Sequence, residues 1–438
     1  MWWGTPHHRW VIAIVVTAFG LRAGWALYAL DSLPEVFASG DQYGYVRYGQ
    51  EIAAGKGYVS YTVGTPTAYY PVGYPALLGA LFWLVTHTPL PDDLPAAVAL
   101  LHATLGTATV LFVWLLGRRA VGATAALVAA GVAAVHPELI TYTSSYALET
   151  SFLAFALGAL ALLATHRWED GLPSVRRLLA FGCVLGVAAL IRPFALPFLL
   201  ALGAAIVAAG WGWRRAMVAC AWSGLAVLAV LTPWTVRNAV RLDAFVPIST
   251  NLGDTACMSR YVGSDGGFAW AAHEGCADPT LPDVARSAEN LRHALRFVVE
   301  HPGEEIALVG RRAAKIFEHG HSGLDETEAS GRGPLPSGLR VRLETVADAF
   351  AVGTLVLGIP GLVLVAGRRW RRHPGRPLVV VPAAVLLVIP LGLWGTPRFA
   401  MPLAPFLAVG TAAAVVALVS RASARWRAVA APGPPLPA

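Results

Sequence analysis

Charge is what this sequence has least of. Asp, Glu, Lys and Arg make up 13% of the 438 residues while 56% are hydrophobic, against roughly a quarter charged in a soluble domain. That balance excludes an ordinary water-soluble globule and leaves a polytopic membrane protein. Cysteine is also sparse. Cys183 and Cys220 lie inside apolar runs, and Cys257 and Cys276 lie in a polar stretch. Neither pair has metal-ligand spacing, but Cys257 and Cys276 are candidates for a disulfide in an oxidising compartment. No internal repeat is visible. The net charge of +7 comes without a basic patch interleaved with aromatics, so nucleic acid is not an expected partner. The basic residues instead punctuate the ends of apolar runs, as Arg118-Arg119 and the RRWRR cluster at 368–372 do.

What is present is a succession of runs long enough to cross about 30 Å of hydrocarbon. They fall near 10–30, 95–117, 120–137, 146–165, 177–192, 194–211, 216–235, 346–367, 377–394 and 399–420. The first follows His7-His8-Arg9 and is longer than a signal-peptide core, so it reads as a retained helix, with cleavage as the alternative. About ten spans put both termini on one side. A cytoplasmic N-terminus places Arg118-Arg119, Arg167, Arg176-Arg177, Arg214-Arg215, the 368–372 cluster, Arg421, Arg425 and Arg427 inside, as the positive-inside rule asks. The segment 70–87, with Pro71 and Pro75, must then lie in the outer interface; a true crossing is the alternative.

This divides the chain into an N-terminal transmembrane module at 1–235 with a first outer loop at 31–94, an extracytoplasmic insertion at 236–345, C-terminal helices at 346–420 and a cytoplasmic tail at 421–438. Within the insertion, VARSAENLRHALRFVVE and EEIALVGRRAAKIFEH read as helices separated by HPG at 301–303, and the Gly-, Ser- and Asp-rich first third reads as loop.

Function is expected at the outer face. In SGDQYGYVRYGQEIAAGKGY, Asp41 opens a helix that carries Tyr45, Tyr48 and Ile52 on one side and ends at Gly55 and Gly57. An N-cap carboxylate is the bland reading of Asp41, and it is compatible with a general base held by helix-start amides. Tyr45 and Tyr48 suit an interfacial anchor, with Tyr45 also a candidate for substrate contact. The next outer turn, HPELITYTSSYALETS, carries Glu138 and Glu149; acids at a membrane boundary are costly unless paired or used. Arg192, Arg237 and Arg398 each sit beside a proline at an outer helix end, with Asn238 next to Arg237. Any one of these arginines could snorkel to lipid phosphates, but three together with acids point to an anionic headgroup. A phosphate leaves as a stable anion, so one base and several cations suffice for transfer from a lipid phosphate. Metal is not demanded, and divalent-metal dependence stays open. His319, His321 and Asp325 are a short, loop-like cluster and are not assigned as ligands.

The ordered segments SGDQYGYVRYGQEIAAGKGY, YYPVGYPALLGALF, LLGRRAVG, HPELITYTSSYALETSF, ALIRP, PWTVRN with FVPISTNLG, and PRFAMPLAP resemble the membrane glycosyltransferases of superfamily C (GT-C). The likeness is to the bacterial branch akin to protein O-mannosyltransferases and aminoarabinose transferases. It implies an all-α GT-C bundle with two juxtamembrane helices in the first outer loop, here 41–54 and 70–87. It further implies Asp41 as catalytic base, a polyprenyl-phosphate sugar donor, a glycan, lipid or protein acceptor, and inversion at the anomeric centre. Two departures stand out. Gln42 replaces the second acid that many members carry, and Tyr69-Tyr70-Pro71 stands where aminoarabinose transferases have an acid-Lys-Pro-Pro element. A transporter or flippase of a lipid-linked or anionic substrate is the alternative, although it would favour polar residues at helix centres and paired broken helices. A scaffold presenting the insertion to a partner is a further one, and it would not need Asp41.

Overall fold

The computed structural model describes residues 7–34, 38–89, 91, 93–269, 276–277, 280–367 and 373–430; the 368–372 basic cluster and the end of the tail lie outside them. The described chain is helical, with a single isolated β-bridge between Val59 and Pro66. Helices α1 (His8–Ser32), α4 (Leu94–Val121), α10 (Trp213–Leu242), α15 (Ser337–Ala366) and the segment Pro397–Ser423, mostly α17 (Ala404–Ala430), are long and apolar enough to cross a membrane. A sixth span arises if α5 (Ala123–Val135) and the bent continuation Pro137–Ser144, which begins with α6 (Pro137–Thr141), count as one. Shorter helices fill the remaining apolar runs: α7 (Glu149–Ala164), α8 (Val175–Ile191), α9 (Leu199–Ala208) and α16 (Pro377–Leu391). The chain is therefore a multi-pass membrane protein, with five to six candidate spans among the described residues by length and composition.

Helix packing here relies on small side chains, as expected where lipid offers no hydrophobic drive. In α5, Ala125, Ala126, Ala129, Ala130, Ala133 and Ala134 are all buried. Where α15 meets α17, a methyl added at Gly361 would lie 1.8 Å from the Gly410 carbonyl oxygen, so only glycine permits this approach. One helix centre carries a charge, at Arg22. This fully buried residue in the middle of α1 donates to the carbonyls of Ala18, Ala133 and Ala134, each at 3.1 Å. Two of these belong to the last turn of α5, which Pro137 prevents from continuing regularly; the guanidinium supplies the donors that turn lacks.

Between α1 and α4 lie α2 (Gly40–Ala53) and α3 (Gly73–His87), close to the two expected juxtamembrane segments. At 1.5 Å per residue, α3 rises about 22 Å, less than a hydrocarbon core. The two helices pack tightly: at Gly49 of α2 an added methyl would lie 3.0 Å from Leu78 of α3. In the insertion, α12 (Asp283–Glu300) and α13 (Pro302–Ile316) match the two expected helices and their break. The Gly-rich first third contains a short α11 (Leu252–Cys257), and Cys257 is bonded to Cys276. Sequence reading missed α14 (Ser322–Ala329). Both α10 and α15 also outlast the apolar pattern at the insertion's edges, because helix continues into polar sequence.

Candidate active site

Asp41 stands in the first turn of α2, preceded by Gly40 at φ +61°, a conformation glycine adopts without strain. The N-cap of α2 is Ser39, so Asp41 is not the cap residue. Instead Oδ1 accepts from the Tyr70 hydroxyl at 2.8 Å and Oδ2 accepts from Arg398 Nη1 at 3.0 Å. With 44% of its side chain exposed, Asp41 remains open to an incoming group. Each carboxylate oxygen has a second lone pair, so an acceptor hydroxyl can still bond there. Burial, and next Asp41 itself, push the Tyr70 phenol well above its usual range, so it stays a donor at neutral pH.

Behind Asp41 lies a buried charge cluster. Glu149 at the start of α7 is fully buried, and its Oε1 accepts from Arg398 Nε at 2.5 Å and Arg192 Nη1 at 3.1 Å. Arg192 follows α8, where Pro193 starts a new turn. Its guanidinium lies 4.7 Å from the Phe194 ring centre and 4.9 Å from that of Phe399, which fixes its plane. A third acid comes from α14, where Glu326 Oε1 stands 3.8 Å from Arg398 Nη1. Burial pushes the Glu326 carboxyl up to about 6, against a partial lowering by Arg398.

Gln42 is buried and used for positioning. Its Nε2 donates to the Glu326 backbone oxygen at 2.8 Å and to Oε2 at 2.5 Å, while its Oε1 accepts from the Tyr146 amide at 2.7 Å. The residue after Asp41 thus ties α2 to α14, and the additional carboxylate reaches the site from 285 positions downstream, 326 minus 41.

Of the sequence candidates, Asp41, Glu149, Arg192 and Arg398 come together. Glu138 does not: it is buried and accepts from the Ser322 amide and hydroxyl at 3.2 and 2.6 Å, fastening the start of α14. Arg237 is committed elsewhere, donating to the Thr67 carbonyl at 2.7 Å, to the Tyr58 carbonyl and to Asn238 Oδ1. Asn238 is fully buried and donates to the Val246 carbonyl at 2.9 Å. Tyr45 and Tyr48 are not exposed anchors. Tyr45 packs edge-on to Tyr70 and Tyr74, and Tyr48 stacks on Tyr58 with ring centres 4.6 Å apart. They are buried because the loop before α3 and the first turn of α3, residues 58–74, cover α2 with their own aromatics, which helical period alone does not reveal. Sequence reasoning missed Tyr70 and Glu326 as site residues. Tyr70 carried a signal, since it belongs to the Tyr69-Tyr70-Pro71 departure that the resemblance implied; Glu326 in SGLDETEA carried none.

Among the described residues, one group has metal-ligating atoms gathered together: His319, His321 and Asp325, all within 4.8 Å of one another. It sits beside a cavity of about 140 Å³ lined by His136, Glu138, His319 and Asp348, and none of its members bonds to the Asp41 cluster.

Residues 75–236 match the family model described as dolichyl-phosphate-mannose-protein mannosyltransferase, which bears out the resemblance to GT-C membrane glycosyltransferases. No match was found among curated proteins. Among solved structures, the Archaeoglobus fulgidus oligosaccharyltransferase in complex with zinc and sulfate superposes with a TM-score of 0.57 at 16% identity, over 95% of this chain and 50% of that one. The same organism's oligosaccharyltransferase AglB, in complex with an inhibitory peptide and a dolichol-phosphate, gives 0.52 at 15% identity over 98% and 53%. ArnT from Cupriavidus metallidurans bound to undecaprenyl phosphate gives 0.44 at 18% identity over 99% and 82%. The chain thus has the fold of the archaeal enzyme's matching part and spans about half the length of those archaeal chains.

Proposed function

We propose that this protein is an inverting glycosyltransferase that moves a sugar from a polyprenyl-phosphate donor to a hydroxyl acceptor at the extracytoplasmic membrane face. The observation that carries this reading is an exposed carboxylate, Asp41, linked through Arg398 to a buried Glu149–Arg192 pair. Arg398 bonds Glu149 through Nε and Asp41 through Nη1. A donor phosphate arriving at the exposed side would compete with Asp41 for Nη1 while Glu149 keeps the guanidinium in place. That exchange frees Asp41 Oδ2 to accept from the acceptor hydroxyl and take its proton, so donor binding readies the base. The acceptor oxygen then attacks the anomeric carbon as the phosphate departs with its electron pair, held by Arg398 and Arg192. Tyr70 keeps the carboxylate oriented. Glu149 acts through the two arginines and is a positioning residue.

The proposed topology has ten spans, both termini cytoplasmic, with the site outside. The four shorter apolar helices occupy the expected runs, and paired arginines at 118–119, 176–177 and 214–215 lie at helix ends or starts other than those carrying Glu149, Arg192 and Arg398. In the same reading, 1–235 forms the catalytic module and 236–345 the extracytoplasmic insertion, with Glu326 as the insertion's contribution to the site. Arg237, Asn238 and Glu138 support the loops around it.

The test is sugar transfer in membranes from a radiolabelled polyprenyl-phosphate sugar, comparing wild type with Asp41→Asn. Equal transfer by both removes Asp41 as base; movement of the intact donor across the bilayer without transfer favours a flippase.

A further inference from the structure

We propose that His319, His321 and Asp325 form a site for a divalent metal of the zinc class, one that clamps the turn after α13 to α14. The inference is independent of the glycosyltransferase reading. Two imidazoles and one carboxylate, with water as a fourth ligand, are a donor set zinc favours. The two histidines occupy the turn between α13 and α14, and Asp325 follows within the first turn of α14. Their ligand atoms lie within 4.8 Å of one another, against about 3.3 Å for neighbouring ligands in a tetrahedral site with 2.0–2.1 Å bonds. Side-chain movement alone covers that difference.

The surroundings prepare the histidines for this role. His321 Nδ1 lies 2.8 Å from Asp348 Oδ1, and the same oxygen accepts from the Gly320 amide at 2.7 Å. A carboxylate on Nδ1 keeps the proton there and presents Nε2 with its lone pair, the arrangement found behind metal-bound histidines. His319 Nδ1 is shielded from solvent and has no hydrogen-bond partner, so its lone pair is available to a metal ion. The two rings are stacked with centres 3.9 Å apart, so one imidazole turns about its side-chain torsions for both lone pairs to meet a single ion. Asp325 can be spared: its partner Arg340 is also held by Glu328 and Glu344. Asp325 is 45% exposed, so the ion has a way in.

Coordination here would fix a helix of eight residues whose next position, Glu326, reaches Arg398 and Gln42. The metal would thereby set how firmly the insertion's acid is presented to the site, from outside it.

The experiment uses the full chain in detergent, its affinity tag removed and metals stripped by chelator, titrated calorimetrically with Zn²⁺. The expected result is saturable binding of one ion per chain, abolished in the double variant His319→Ala/His321→Ala. Asp348→Asn should weaken it about 10–100-fold. Asp325→Asn, at an exposed position, guards against misfolding of the histidine variant and should lower affinity at least about tenfold with an unchanged helical spectrum. Asp41→Asn should bind as wild type does. The proposal is overturned if wild type binds no ion stoichiometrically, if Asp325→Asn and the histidine variant bind like wild type, or if binding disappears in Asp41→Asn instead.

Discussion

Replacing Glu149 by glutamine separates holding the site together from performing its chemistry. Glu149 is fully buried, and one of its oxygens serves two arginines whose side chains are 11% and 14% exposed. The substitution keeps size and one acceptor but removes the negative charge between them. Breaking a buried ion pair from one side costs about 3–5 kcal/mol. The retained carbonyl and the Arg398–Asp41 contact bring the expectation to the lower end, about 3 kcal/mol. Asp41→Asn acts on a pair that is 44% exposed at the carboxylate, so solvent screening limits its cost to below about 1 kcal/mol. Its effect should instead fall on turnover, about 10²–10⁴-fold, the usual share of a general base. The assay is the half-life of monodisperse protein in detergent at a fixed elevated temperature, a rate measure suited to irreversible unfolding, run beside transfer kinetics. Glu149→Gln should shorten the half-life sharply and Asp41→Asn should not. The reasoning is refuted if Glu149→Gln survives heating like wild type, or if Asp41→Asn is the variant that unfolds early.

Glu326, pushed up to about 6 from an ordinary 4.5, binds its proton more tightly folded than unfolded. The protonated form therefore favours the fold, and about 2 kcal/mol of stability present below pH 4.5 is lost as pH rises through 6. Glu326→Gln should flatten that pH dependence in thermal-inactivation assays and also remove a fall in donor affinity over the same range, since the ionised carboxylate opposes an anionic donor. Tyr70→Phe deletes the hydrogen bond to the Asp41 carboxylate; a bond to a charged group is worth about 1.5–3 kcal/mol, so kcat/KM should fall roughly 10–150-fold, measured by transfer kinetics. Reducing Cys257–Cys276, which are 19 positions apart, should cost about 3 kcal/mol by loop entropy, read as earlier heat inactivation with dithiothreitol.

Much of this architecture was legible because membrane helices announce themselves by length and apolarity, and the acid opening α2 by the glycines and tyrosines around it. Asp41, Glu149, Arg192 and Arg398 could be named because charge is costly at such positions. Their partners could not be assigned, since Glu149 meets Arg398 across 249 positions. Gln42 looked like a loss when read beside Asp41 alone; its contact with Glu326 depends on α14, whose eight mostly polar residues give too little periodicity to read. The tyrosines failed differently. Their spacing correctly defined one helix face, but a polar hydroxyl suggested the interface, whereas the 58–74 segment covers that face with further aromatics.

Arg22 also places the fold in time. During synthesis α1 reaches the bilayer carrying a cation at its middle, a burden of about 2.5–3.5 kcal/mol for an arginine there. The carbonyls it finally binds, those of Ala133 and Ala134, lie 111 and 112 residues later, roughly 6–22 s of translation at 5–20 residues per second. Until then the first helix must keep its guanidinium near water or on a temporary partner. The arrival of α5 releases it, making membrane insertion of this chain a cooperative event between its first helix and one made much later.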